Sequence, residues 1–156
     1  MPATAGYSGT PLPQKLGIKP GHRLLLLGAP AGFLEDDLGP VPEGVQVVRR
    51  AAPPVDVAVA FAVTTAELAR RFDAARAALA ADGGLWVAYP KKAAKVPTEL
   101  DFTSVQTHGL ATGLVDNKSC AVTEVWSGLR FVVRVADRPG WPIPASVGRR
   151  PRTARG

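Results

Sequence analysis

The stretch "VDVAVAFAVTTAELARRFDAARAALAADGGLWVAYP", residues 55–90, constrains the fold more than any other part of the chain. Its first nine residues are rich in valine and apolar apart from Asp56. That is the composition of a strand covered on both faces. Thr64-Thr65-Ala66-Glu67 then has the form of a capping box. The Thr64 hydroxyl can accept from the Glu67 N–H while the Glu67 carboxylate reaches back. Leu68, Phe72, Ala75 and Leu79 fall on one helical stripe, and Arg70, Arg71, Asp73 and Arg76 take the wet side. Glu67 and Arg71 are spaced for an i,i+4 pair. Asp82-Gly83-Gly84 offers a left-handed stop for the helix, and "GLWVAYP" reads as a second buried strand closed by Pro90. Strand, crossover helix and strand make a right-handed parallel unit, so a parallel sheet follows.

The rest of the chain extends that sheet. "HRLLLLGA" and "VQVVRRA" read as two further strands, and "LPQKLGIKPG" has room for one helical turn packing Leu12, Leu16 and Ile18. A short helix is expected over residues 98–108, from Pro97-Thr98 to a stop at Gly109, with Leu100, Phe102 and Val105 as its apolar contacts. "SCAVTEVWSGLRFVVRVAD" reads as two strands around a turn at Ser127-Gly128. Leu129, Phe131, Val133 and Val135 then share one face, and Arg130 and Arg134 the other. The fold class expected is α/β: one Rossmann-like three-layer domain over residues 22–137. Its sheet is mostly parallel and ends in a C-terminal antiparallel β-hairpin. Residues 1–21 form an irregular N-terminal segment, and residues 138–156 a Pro- and Arg-rich tail expected to lack order except where Trp141 and Ile143 dock.

Charge is uneven. The net charge is +6 and the pI about 10.0. Arg138, Arg149, Arg150, Arg152 and Arg155 follow Asp137 with no acid among them. Residues 1–137 carry 14 bases against 13 acids. The excess therefore sits in the tail, which either keeps the chain soluble or makes weak, non-specific contact with nucleic acid. Residues 1–23 lack the apolar core of a signal peptide, and no apolar run is long enough to span a bilayer. Cys120 is the single cysteine. The expectation is a cytoplasmic protein without a membrane partner.

The parallel body and closing hairpin resemble the class I methyltransferase fold, a Rossmann relative that binds S-adenosylmethionine. Residues 55–90 look like that fold's fourth strand, helix and fifth strand. The chain as a whole is similar to a bacterial family of unknown function. "GYSGTPLPQKLGIKPG", "LLLLGAP", "GGLWVAYPKKA", "GLVDNKSCAV" and "WSGLRFVVR" carry that likeness. It brings no activity with it.

The cofactor equipment of the methyltransferase fold is incomplete here. The loop after the first strand is Gly28-Ala29-Pro30-Ala31-Gly32, with Pro30 at the second glycine position. Proline has no N–H to donate and a fixed φ. The acid that holds ribose hydroxyls about 20 residues on is missing. Val48, Arg49 and Arg50 stand there. About 13 residues separate the loop from the second strand, barely enough for a crossover helix.

Ligands of open α/β sheets sit outside the carboxyl ends of the parallel strands. Gly28, Ala29 and Gly32, Thr64 and Thr65, and Lys91 and Lys92 all belong to loops at that edge. The lysines of "PKKAAK" together with free N–H groups at the Thr64–Thr65 helix start suit a small anion or phosphate. They read equally as a solvated loop and an ordinary cap. Asp116, Asn117 and Lys118 of "VDNK" read as a turn, His22 and His108 as surface or cap residues, Cys120 as packing, and Trp86 and Trp126 as core or edge. The residues show no catalytic constellation and no metal-ligand spacing. The expectation is thus a ligand-sensing or protein-interaction module without catalysis, and no resident cofactor. The alternative is an enzyme using S-adenosylmethionine or a nucleotide on an anionic substrate.

Overall fold

The computed structural model describes residues 10–141. Their strands are β1 (Arg23–Leu27), β2 (Gln46–Val48), β3 (Val55–Phe61), β4 (Leu79–Pro90), β5 (Val115–Ala121) and β6 (Trp126–Val132). The helices are α1 (Leu12–Leu16), α2 (Thr65–Ala78) and α3 (Phe102–Ala111). The sheet order is β2-β1-β3-β4-β6-β5. β2, β1, β3 and β4 run parallel, and β6 and β5 close the sheet antiparallel. The chain is a mixed α/β protein with a mostly parallel sheet, as its sequence leads one to expect.

Strand alternation divides the core in two. Leu25, Ala58, Leu85, Val87, Leu129 and Phe131 pack under α2 and α3 with Leu68, Phe72 and Val105. Leu24, Leu26, Val57, Val59, Trp86 and Ala88 face the other way, against Leu12 and Leu16 of α1 and against Phe33 and Leu38. The one-turn α1 is thus anchored, and Trp86 Nε1 donates to the Leu16 carbonyl at 3.0 Å. Between β1 and β2 there is a single π-helical turn, Phe33–Leu38, in place of a crossover helix.

Several local expectations are corrected. α2 ends at Ala78 and the chain enters β4 at Leu79, so Gly83 and Gly84 lie inside a strand and not at a helix stop. A Cβ at Gly83 would meet the Asp56 carbonyl oxygen at 2.8 Å, where β3 and β4 shift register. These glycines allow close backbone approach and terminate nothing. α3 starts at Asp101, whose carboxylate accepts from Ser104 N–H at 2.8 Å, and runs through Gly109. Gly109 has no side chain because the Phe131 ring fills that space. The later start leaves Phe102 44% exposed. The β5–β6 turn is Val122–Val125, and Ser127-Gly128 lies within β6, where Gly128 makes room for Trp86 and Val122. Val135 leaves the strand for a 3₁₀ turn and is 74% exposed. "VDNK" is the start of β5 and not a turn.

Candidate functional site

The carboxyl ends of β1 and β3 are occupied by a side chain of the protein itself. Gly28 follows β1 with φ +69. The space a Cβ would take there holds the guanidinium of Arg71, one face of α2. Arg71 Nη1 donates to the Phe61 carbonyl at the end of β3, at 2.7 Å. Glu67, one turn earlier, stands 3.8 Å from Arg71 and accepts from the Val63 N–H at 2.9 Å. That backbone bond, aided by Arg71, holds the Glu67 carboxyl below its ordinary range. Gly32 begins the π-helical turn with φ +82, and the Asp36 carboxylate lies over it. Ala29 packs against the core on the α1 face. Arg49 and Arg50 are exposed beyond β2.

The start of α2 is also filled from within. Thr64 Oγ1 accepts from Glu67 N–H at 3.1 Å, as the capping box requires. The Thr65 N–H and hydroxyl both donate to Glu99 Oε1, at 2.7 and 3.1 Å. The Thr65 N–H, expected to await an anion, is therefore already bonded to the Glu99 carboxylate, and the Val63 N–H just before it to that of Glu67. Glu99 is placed by the segment before it: Thr98 Oγ1 and the Glu99 N–H donate to the Val63 carbonyl at 2.7 and 2.9 Å.

Lys91 and Lys92 do line a cavity. It measures about 640 Å³ and lies between the end of β4 and the start of α3. Tyr89, Thr98, Glu99, Asp101 and Ser127 share it with the two lysines; Gly28, Ala29 and Gly32 do not. Lys91 is half-buried, and its backbone N–H donates to the Val125 carbonyl at 2.8 Å. The Asp101 carboxyl lies below its usual range because Ser104 bonds to it, with the nearby Lys92 charge adding a smaller effect. Burial raises the Tyr89 phenol, and Asp101 raises it further. The cavity is thus lined by two lysines, a phenol and the hydroxyls of Thr103 and Ser127, with Thr98 bonded to Val63 and its acids engaged as caps.

The remaining candidates make local contacts. His22 Nδ1 accepts from the Lys19 N–H at 3.1 Å. His108 meets the Phe72 ring edge-on at 5.0 Å and stands 3.5 Å from Asp73. Cys120 is a free thiol on β5, raised chiefly by burial. Trp126 meets Phe61 edge-on at 5.1 Å. Trp141 does dock, through its Nε1 donating to the Leu79 carbonyl at 2.6 Å and its ring under Arg76. Ile143 and the arginines from Arg149 onward lie outside the described residues. Among the described residues no helix is long and apolar enough to cross a membrane, and no three metal-ligating side chains cluster.

No protein-family model matches the chain, and no curated protein matches it in sequence. The fold is similar to the solved structure of TrmN from Thermus thermophilus, with a TM-score of 0.50 at 12% identity. The match covers 80% of this chain and 47% of that one, so the chain spans about half the length of the structure it resembles. The likeness is one of fold.

Proposed function

We propose that this chain is a ligand-sensing or protein-interaction module on a Rossmann-like, methyltransferase-like sheet, without transferase chemistry. Its ligand is a small anion taken between Lys91 and Lys92. A TrmN methyltransferase as structural neighbour supports the fold assignment. The observation that carries the functional reading is Arg71: its guanidinium fills the space beside Gly28 and bonds to Phe61, where the first loop of such a fold would receive a cofactor. Pro30 removes a backbone donor from the same loop. The cavity of about 640 Å³ lies further along the edge, within the range of small-molecule sites.

The alternative, an enzyme using S-adenosylmethionine or a nucleotide, draws on the same fold likeness and the same pair of lysines. Thermal shifts separate the module from an enzyme that uses S-adenosylmethionine, because a ligand that binds the native state raises the midpoint. The panel is S-adenosylmethionine, its demethylated product, NADP and ATP. A module of the proposed kind responds to the phosphate-bearing compounds, and the response falls in a Lys91→Gln/Lys92→Gln variant; a response of unchanged size in that variant overturns the assignment of the anion to this cavity. A response to S-adenosylmethionine or its product overturns the reading in favour of the enzyme.

A further inference from the structure

A second groove lies at the opposite edge of the sheet, where the parallel strands begin. It encloses about 320 Å³ between the end of α1 and the exposed face of β4, β6 and β5. It shares no lining residue with the Lys91–Lys92 cavity. That volume is at the small end of ligand sites.

Arg130 and Lys118 form its floor. The β5–β6 register sets Lys118 opposite Arg130, so both cations stand on one face of the ladder. Like charges directly opposed weaken a sheet, so folding alone does not reward the pair. The Arg130 guanidinium lies across Gly84 of β4, in the space a side chain there would need. Its hydrogen-bond partner among the described residues is Asn117 Oδ1, at a long 3.4 Å. Among the described residues no carboxylate forms an ion pair with it. Burial pushes the Arg130 pKa down, and the charge of Arg138 pushes it further in the same direction. A half-buried cation without a counter-ion is costly, and an anion supplied from solution removes the cost.

The walls are mixed, with lysines in excess of acids. Lys19 and His22 face the groove from the α1 side. Of its two acids, Asp56 already accepts from the Arg23 N–H at 2.8 Å, and Asp82 is exposed.

We infer that this groove is a binding site for a phosphate-bearing small anion, with Arg130 as its anchor and Lys118 as its second cation. Arg130 supplies the planar donor fork that matches a phosphate, and Lys118 and Lys19 supply point charges around it. The tetrahedral group accepts from several directions at once, as donors from β6, β5 and the α1 segment require.

The test is titration of the full chain with pyrophosphate, inorganic phosphate and AMP at constant ionic strength, followed by calorimetry and by amide NMR. Binding is expected with a free phosphate group or with a nucleotide phosphate; the two arms identify which source fits better. Gly84 and Lys118 amides shift in the wild type. Lys118→Gln, at an exposed position, and Arg130→Gln each weaken binding by about tenfold or more. Lys91→Gln/Lys92→Gln leaves the Gly84 and Lys118 amide shifts unchanged. Three results overturn the inference: no binding of any of the three anions, Gly84 and Lys118 amide shifts that persist in Lys118→Gln or Arg130→Gln, or shifts at these amides that disappear in Lys91→Gln/Lys92→Gln.

Discussion

Arg71 rests on Gly28. The arginine of α2 reaches the glycine that ends β1, and its Nη1 bonds to the Phe61 carbonyl on the neighbouring strand at 2.7 Å. One side chain thus ties a helix to two adjacent strand ends. Gly28 permits this twice over, by its φ of +69 and by having no Cβ.

Gly28→Ala is expected to lower stability by about 1–2 kcal/mol from the left-handed backbone alone. It also displaces the Arg71 guanidinium. Chemical denaturation of Gly28→Ala, Arg71→Ala and the double variant measures the coupling. The two changes are expected to be non-additive, because alanine at position 71 gives the new methyl room. Strict additivity contradicts the contact.

Gly109→Ala drives a methyl into the Phe131 ring inside the core shared by α3 and β6. Overpacking of this kind costs about 1–3 kcal/mol. Urea unfolding is expected to show that loss, with partial recovery in Gly109→Ala/Phe131→Leu. An unchanged midpoint in the single variant means that α3 sits further from β6.

Stability should fall in acid through the helix caps. Hydrogen bonds from Ser104 depress the Asp101 carboxyl in the folded state. A depressed carboxylate contributes stability that is present above its unfolded pKa, about 3.9, and is lost as pH falls through the folded value. Melting temperatures between pH 3 and 6 are expected to converge at the acid end for wild type and Asp101→Asn, with the wild type ahead near pH 6. Parallel curves contradict the role of the charge.

Trp141 closes the described chain against the sheet. Its indole N–H bonds to the Leu79 carbonyl at 2.6 Å and its ring centre is 4.8 Å from the Arg76 guanidinium carbon. Trp141→Ala is expected to cost about 1–2 kcal/mol in stability. Trp141→Phe keeps the ring and recovers part of it. Equal losses in both variants would assign the contribution to the hydrogen bond alone.

The sheet was legible in the sequence because its signals are local. Apolar strands at Leu24–Leu27 and, apart from Asp56, at Val55–Phe61, and a capping box with a helical stripe between strands, each report their own backbone. Glycine was less legible, since it marks both turns and close approach. Gly83, Gly84, Gly109 and Gly128 all have room made for a neighbour: a β3 carbonyl, Arg130, Phe131 and Trp86. None of those neighbours is adjacent in sequence. The candidate site was legible to the level of the edge. Lys91 and Lys92 do line a cavity, but Thr65 is bonded to Glu99 and Gly28 is covered by Arg71, contacts that exist only after folding. The i,i+4 spacing of Glu67 and Arg71 was visible in the sequence, yet it says nothing about where the guanidinium ends.

The central claim is that the edge beside Gly28 is closed to a cofactor by Arg71. Isothermal titration of the wild-type chain with S-adenosylmethionine tests it most directly, with Arg71→Ala titrated alongside. The account predicts no measurable binding to the wild type. Saturable binding to the wild type, weakened when a bulky residue replaces Gly28, contradicts it.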